Sequence, residues 1–264
     1  MNVNETPVFI LCGGLGTRLK EETEFRPKPM VPVGNYPILW HIMKYYRKYD
    51  FKKFILCTGF KSEVIKSYFL NYTSMNSDFT VELKTNNVTV HSIDHDLDWE
   101  VTLAYTGEFT MTGARIARAA EKYLGSAENF AVTYGDGLTD ADLGEEYYYH
   151  FSNNKTGTVL GVNPPSRFGE IKLKENEVLE FNEKPEFNKS WINGGYFFFK
   201  KEFLKYLSKN EECVLEKEPL VNLAKDHQLN MYKHKGFWSC MDTQRDRDYL
   251  NSLWNSGNAP WKTK

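Results

Sequence analysis

The chain has few cysteines, no excess of charge of one sign and no long apolar run, and each lack removes a class of protein. Among 264 residues only Cys12, Cys57, Cys213 and Cys240 are cysteines, and none forms a CxxC pair. Neither a disulfide framework nor a zinc ribbon is suggested, and a reducing cytoplasm is the expected setting. Lysine and arginine number 33 against 35 acidic residues, so there is no basic surplus to gather nucleic-acid phosphates. No stretch reaches the roughly 18 consecutive apolar residues of a membrane span, and MNVNETP does not begin like a signal peptide. A soluble protein without membrane or nucleic-acid partners is therefore expected. What is present suffices for a sizeable core: 41% of residues are hydrophobic and 15% aromatic. No composition shift marks a linker and no internal repeat is visible, so residues 1–264 are read as a single domain.

The apolar run from Val8 to Cys12 stops at Gly13 and Gly14, the pattern of a buried strand entering a loop. Pro37 opens a helical stripe of Ile38, Leu39, Ile42, Met43 and Tyr46. FILCTG at 54–59 repeats the strand and KSEVIKSYFLNY repeats the helix, which predicts right-handed crossovers and a parallel sheet in an α/β fold. Residues 73–101 break the rhythm: VELKTNNVTV alternates around Asn86-Asn87 and reads as a hairpin and loop inserted into the core. The rhythm resumes with a helix at 112–124, a strand in NFAVTYGDG, a strand in TGTVLGV, a hairpin in FGEIKLKENEVLEFNEKP and a strand in GGYFFFK. Helices near 200–209 and 215–227 and a last strand before MDTQRD complete the order.

FILCGGLGTRLKEETEFRPKPMVPVG, residues 9–34, carries the first functional signal. A dinucleotide fingerprint needs a third glycine where Leu19 stands, and a Walker A loop needs a GK[ST] that is missing, so both are excluded. The chemistry that remains is anion binding. Backbone N–H groups of a side-chain-poor loop can approach polyphosphate, Arg18 offers a planar fork, and Lys28 offers a point charge restrained by Pro27 and Pro29. Each element alone is an ordinary surface turn. Their placement directly after the first strand favours a ligand site, because open α/β sheets bind at the carboxyl ends of their strands.

Asp136 in TYGDG and Asp242 in CMDT each follow an expected strand. If both strands belong to one sheet, the carboxylates converge on the rim of the glycine loop, and two carboxylates with phosphate oxygens and water suit Mg²⁺. Taken singly, each aspartate is as readily a turn or cap residue. Lys184 in EKP can hold a second phosphate, with Glu183 and Asn193 available to hydroxyl groups.

In this order the motifs GG-LGTRL, PKPMVPVG, YGDG, EKP with NGGYFF and MDT cover almost the whole chain, which resembles the sugar-phosphate nucleotidyltransferases. The segments PILWHIMKYY, EFTMTGARIAR, PSRFGEI, EKPEFNKSWINGGYFFF, GFWSCMDTQRD and LWNSGNAPWK resemble most closely the glucose-1-phosphate cytidylyltransferase branch of that family. The resemblance implies a Rossmann-like mixed, mainly parallel sheet flanked by helices, the nucleotide-diphospho-sugar transferase fold, with a sugar-binding portion from about residue 156. It implies attack of a sugar 1-phosphate on the α-phosphorus of CTP, with Mg²⁺ as cofactor. Leu11, Gly13, Gly14, Gly16, Thr17, Arg18, Lys28 and Asp136 would bind the nucleotide, with Thr112, Gly113 and Arg115 beside the cytosine. Tyr134, Gly135, Glu183, Lys184, Asn193 and Gly194 would bind the acceptor, Asp136 and Asp242 the metal, and Arg18, Lys28 and Lys184 would be catalytic. Cys12 stands where the family commonly carries alanine, a change of size rather than of chemistry.

UTP or dTTP in place of CTP, another phosphorylated acceptor, or a noncatalytic nucleotide-sugar sensor are the competing readings. The presence of Lys28, Asp136 and Asp242 together favours an enzyme. His91, Asp94, His95, Asp96 and Asp98 lack the helical spacing of a metal motif and are read as solvated loop. Trp238, Trp254 and Trp261 are read as packing or subunit contacts, and a homo-oligomer is expected.

Overall fold

The computed structural model describes residues 3–91, 98–164, 170–182 and 190–263. Glu183 and Lys184, like Asp94, His95 and Asp96, lie outside the described residues. Seven strands form the main sheet: β1 (Val8–Leu11), β2 (Lys53–Thr58), β3 (Glu100–Tyr105), β4 (Asn129–Tyr134), β5 (Gly157–Val162), β6 (Ile192–Lys200) and β7 (Leu229–His234). Their order is β7-β5-β6-β4-β1-β2-β3. Neighbours run parallel except at β6, which is antiparallel to both β4 and β5. The expected mixed, mainly parallel sheet is thus present. The hydrophobic pattern alone had implied only parallel pairs, because it carries no strand direction.

Every residue of β1 is buried, and alternation sends its side chains to two layers. Val8 and Ile10 join the core that holds helix α1 (Ile38–Arg47), while Phe9 and Leu11 join the one under α3 (Thr112–Tyr123); α2 (Ser62–Leu70) lies between them in sequence. Phe9 meets Phe130 edge to face at 5.5 Å between ring centroids. Burying each such side chain stabilises the fold by about 1.5–3 kcal/mol. Helix α4 (Leu143–Ser152) starts under an Asp142 cap, α5 spans Glu218–Lys225, and α6 (Gln244–Asn255) starts at a capping box of Thr243 and Asp246.

The hairpin expected around Asn86 is present as Phe79–Glu82 against Asn87–Val90, with Asn86 in the left-handed region at φ 56°. The insert ends earlier than expected, since β3 from Glu100 pairs with β2 as an edge of the main sheet. Asp98 is held by Arg47 and Lys52, so it takes part in surface ion pairs. Trp261 is buried in the core of its own chain, 5.3 Å from Phe237 and 6.3 Å from His41 between ring centroids, which makes it a packing residue.

Candidate active site

The carboxyl ends of β1 and β4 open into a cleft of about 670 Å³. Residues 11–18 form one wall, the 108–112 segment and Arg115 another, and Tyr134, Gly135, Asp136 and Asn193 a third. Gly16 turns the glycine loop with φ +63°, a conformation that side chains rarely adopt. Thr17 and Arg18 follow in a 3-10 turn, and Gly14, Thr17 and Arg18 are exposed to the cleft.

Lys28 sits at the start of another 3-10 turn, after Pro27, which is extended at φ −66°. Its Nζ donates to Asp136 Oδ2 at 2.5 Å and to Asp242 Oδ1 at 2.6 Å. Arg18 Nη2 lies 2.9 Å from the same Asp242 oxygen, while its side chain stays 72% exposed. An exposed pair of this kind contributes little stability, so the guanidinium remains available to an incoming anion.

Both aspartates reach the expected rim, but Asp242 comes by another route. It does not end a strand of the main sheet. It follows Trp238–Cys240, a short strand antiparallel to Gly137–Thr139, and this ribbon begins where Asp136 ends. Met241 N–H donates to the Asp136 carbonyl at 2.9 Å, which fixes the two acids side by side. Asp246 of the α6 capping box accepts from the Asp242 N–H at 3.1 Å.

Burial alone would raise the Asp242 carboxyl, but the hydrogen bond and charge of Lys28, with Arg18, hold it below its ordinary 3.8. Burial likewise disfavours the Lys28 ammonium, yet Asp136 and then Asp242 raise it above its ordinary 10.5. A depressed acid stabilises the fold above its unfolded pKa and loses that effect as pH falls through the folded one; a raised base does so below its unfolded pKa. The gap in thermal midpoint between wild type and Asp242→Asn should therefore be level through neutral pH and shrink as pH falls below 3.8. A gap unchanged in acid would mean that the ion cluster adds nothing.

Arg115, expected beside the base, lines the cleft, and its guanidinium is bonded mainly to the main chain. It is 4% exposed. Nη1 donates to the carbonyls of Thr58 (3.1 Å) and Gly107 (2.6 Å) and to Thr106 Oγ1 (2.8 Å). Nη2 donates to the carbonyls of Gly13 (2.9 Å) and Glu108 (3.1 Å). The side chain thus ties the glycine loop to the ends of β2 and β3. A Cβ at Gly13 would come within 2.2 Å of this guanidinium, so glycine is required there by close approach.

Gly113 is buried against Cys213, whose carbonyl takes its N–H at 2.9 Å, and it does not line the cleft. Gly194 is also buried, its carbonyl accepting the Trp238 indole N–H at 2.7 Å. Thr112, Tyr134, Gly135 and Asn193 do line the cleft, as do Leu11, Gly13 and Gly16. Sequence reasoning missed Phe109, Met111, Trp238 and Cys240 on its walls. The first two lie in the quoted EFTMTGAR segment and the last two in GFWSCMDT, so the signal was present but was assigned to other residues.

The profile described as nucleotidyl transferase matches residues 8–251. The chain belongs to the nucleotidyl transferase family. Relatives within the family include glucose-1-phosphate cytidylyltransferases of Salmonella typhimurium and Salmonella typhi, each 45% identical over 96% of this chain and 98% of theirs. A Bacillus anthracis protein solved in complex with sucrose shares the fold, with a TM-score of 0.68 at 19% identity over 98% of this chain and 97% of the other. Nucleotidyl transferases of this kind generally use a divalent metal, and the donor set here fits one. The Lys28 ammonium is a stand-in cation that draws one oxygen from each aspartate to a single point. Among the described residues no group of three or more His, Cys, Asp or Glu side chains forms a closed cage, so the remaining positions would fall to phosphate and water. Burial, then the charges of Asp242 and Asp136, push the neighbouring Cys240 thiol up to about 12.

Among the described residues no helix is long and apolar enough to cross a membrane.

Proposed function

We propose that the chain transfers a cytidylyl group from CTP to α-D-glucose 1-phosphate, giving CDP-glucose and pyrophosphate. The observation that carries the chemistry is the convergence of Arg18, Lys28, Asp136 and Asp242 at the mouth of the glycine loop. The choice of CTP and glucose 1-phosphate is supported by the relatives that are 45% identical over nearly the whole chain.

The acceptor phosphate is already an anion, so no general base is required. One of its oxygens bonds to the α-phosphorus, the α–β bridging P–O bond breaks, and its electron pair leaves with pyrophosphate. The task of the protein is to align two mutually repelling anions and to stabilise charge as the bond changes hands. Backbone N–H groups of residues 13–17 cradle the triphosphate, while Arg18 and Lys28 neutralise it. Asp136 and Asp242 would hold Mg²⁺, which when bound supplies charge neutralisation on phosphate oxygens. Tyr134, Gly135 and Asn193 face the acceptor end, and Lys184 with Glu183 is assigned to the attacking phosphate and sugar hydroxyls by resemblance. The reading includes a cytoplasmic homo-oligomer without nucleic-acid partners. It is supported by four free cysteines and by exposed apolar Phe79, Val81 and Val88 on the inserted hairpin.

Pyrophosphate release, measured with each nucleoside triphosphate against a panel of sugar 1-phosphates in the presence of Mg²⁺, tests this. Release is expected with CTP and glucose 1-phosphate. Release with UTP or dTTP alone would overturn the base assignment, and none with any pair would overturn the enzyme.

A further inference from the structure

Glu216 lies outside the cleft, on the segment that precedes α5, and yet two cleft walls end on its carboxylate. Oε2 accepts from Thr112 Oγ1 at 2.9 Å, and Oε1 accepts from the Tyr134 hydroxyl. Thr112 begins α3 on one wall, and Tyr134 ends β4 on the other, two positions before Asp136. Asn193 extends the chain of contacts: its Nδ2 donates to the Tyr134 hydroxyl at 3.4 Å, and its Oδ1 is fixed by the Gly195 N–H at 2.8 Å.

The segment carrying Glu216 is itself strapped to the start of α3. Met111 N–H donates to the Glu211 carbonyl at 2.8 Å, and the N–H groups of Gly113 and Ala114 donate to the Cys213 carbonyl at 2.9 and 3.1 Å. Leu215 N–H returns a bond to Thr112 Oγ1 at 2.9 Å. Three of the first-turn donors of α3 are therefore satisfied by this strap, and the negative carboxylate sits at the end of the helix where its dipole favours an anion.

We infer that Glu216 is a positioning residue that fixes the nucleotide wall and the acceptor wall relative to one another, through Thr112 and through Tyr134 with Asn193. The assignment of the two walls to nucleotide and acceptor rests on the cytidylyltransferase reading. Glu216 itself lies outside the cleft, so its loss acts on both binding steps through the walls it holds. An ordinary surface glutamate would change neither.

Steady-state kinetics of Glu216→Ala should show KM for nucleotide and KM for sugar phosphate rising together, with kcat/KM falling roughly tenfold for each, the size of one lost charge-assisted hydrogen bond. Glu216 is exposed, so the thermal midpoint should stay near that of wild type. Glu216→Gln keeps an acceptor oxygen and should recover most of the loss; it carries the test if the alanine variant folds poorly. Tyr134→Phe combined with Glu216→Ala should cost less than the sum of the two single changes, because both cut the same bond. A rise in only one KM, additive costs, or unchanged KM values would each overturn the bridge. Wild type is run first on the nucleotide panel, and the variants on the pair it turns over. A wrong nucleotide then shows in wild type, and a wrong role for Glu216 shows only in the variants.

Discussion

Lys28→Met should reduce turnover by roughly a thousandfold, the upper range for removing one preorganised group from charge stabilisation in a transition state. The side chain is only 12% exposed and its Nζ bonds both rim aspartates, so methionine leaves two carboxylates facing each other without their cation. The same change should make the protein more responsive to divalent metal. In wild type the ammonium competes with a metal ion for Asp136 Oδ2 and Asp242 Oδ1, whereas in Lys28→Met those oxygens have lost that partner. Thermal melts with and without Mg²⁺ should show a larger upward shift for the variant than for wild type. Equal shifts would mean that the two aspartates are not the metal ligands, whatever happens to turnover.

Arg115→Met should destabilise the fold by about 3 kcal/mol, lowering the thermal midpoint by about 6–12 °C in a chain of this size. Methionine fills much of the space but leaves the Gly13, Gly107 and Glu108 carbonyls without their guanidinium donor. Thr58 O is less affected, since it also accepts from Thr106 N and Thr106 Oγ1, and Gly13 O keeps a long bond from the Phe60 N–H at 3.4 Å. Arg115→Lys should recover little, because one ammonium cannot span acceptors that a planar fork reaches on both of its arms. Chemical denaturation compared with kinetic constants decides the role. A variant as stable as wild type but altered in its choice among CTP, UTP and dTTP would place Arg115 on the base and remove its scaffold role.

These two residues also mark where the sequence was legible. Lys28 could be found from sequence because its chemistry lies in its own side chain and its proline neighbours. The structural partners of Arg115 were not legible, because they are mostly backbone carbonyls at Thr58, Gly13, Gly107 and Glu108, and carbonyls leave no trace in residue identity. The strands were readable from apolar runs, and the hairpin at Asn86 from its alternation. The reversal of β6 was not, since a buried strand has the same composition in either direction. Asp242 reaches the rim, but from a side ribbon rather than a sheet strand: three residues, Trp238–Cys240, are too few to separate the two in sequence. Glu216 gave no signal at all, because its partners are 104 and 82 positions away.

The reversed strand has a further consequence. Were the sheet wholly parallel, every residue at its carboxyl rim would arrive on a strand leaving the sheet, immediately before a crossover whose length the packing constrains. Because β6 runs the other way, Asn193 reaches the rim on chain that is entering the sheet, paired at Gly161, while the register of β6 is set by Phe197 through Lys200 against β4 further on. The segment before residue 192 can therefore lengthen, shorten or change shape without shifting the glycine loop or the two aspartates, which are fixed by β1, β4 and the side ribbon. If the Asn193 side receives the acceptor as proposed, acceptor choice and phosphate handling are separable inheritances in this architecture, and one can be re-engineered while the other is left in place.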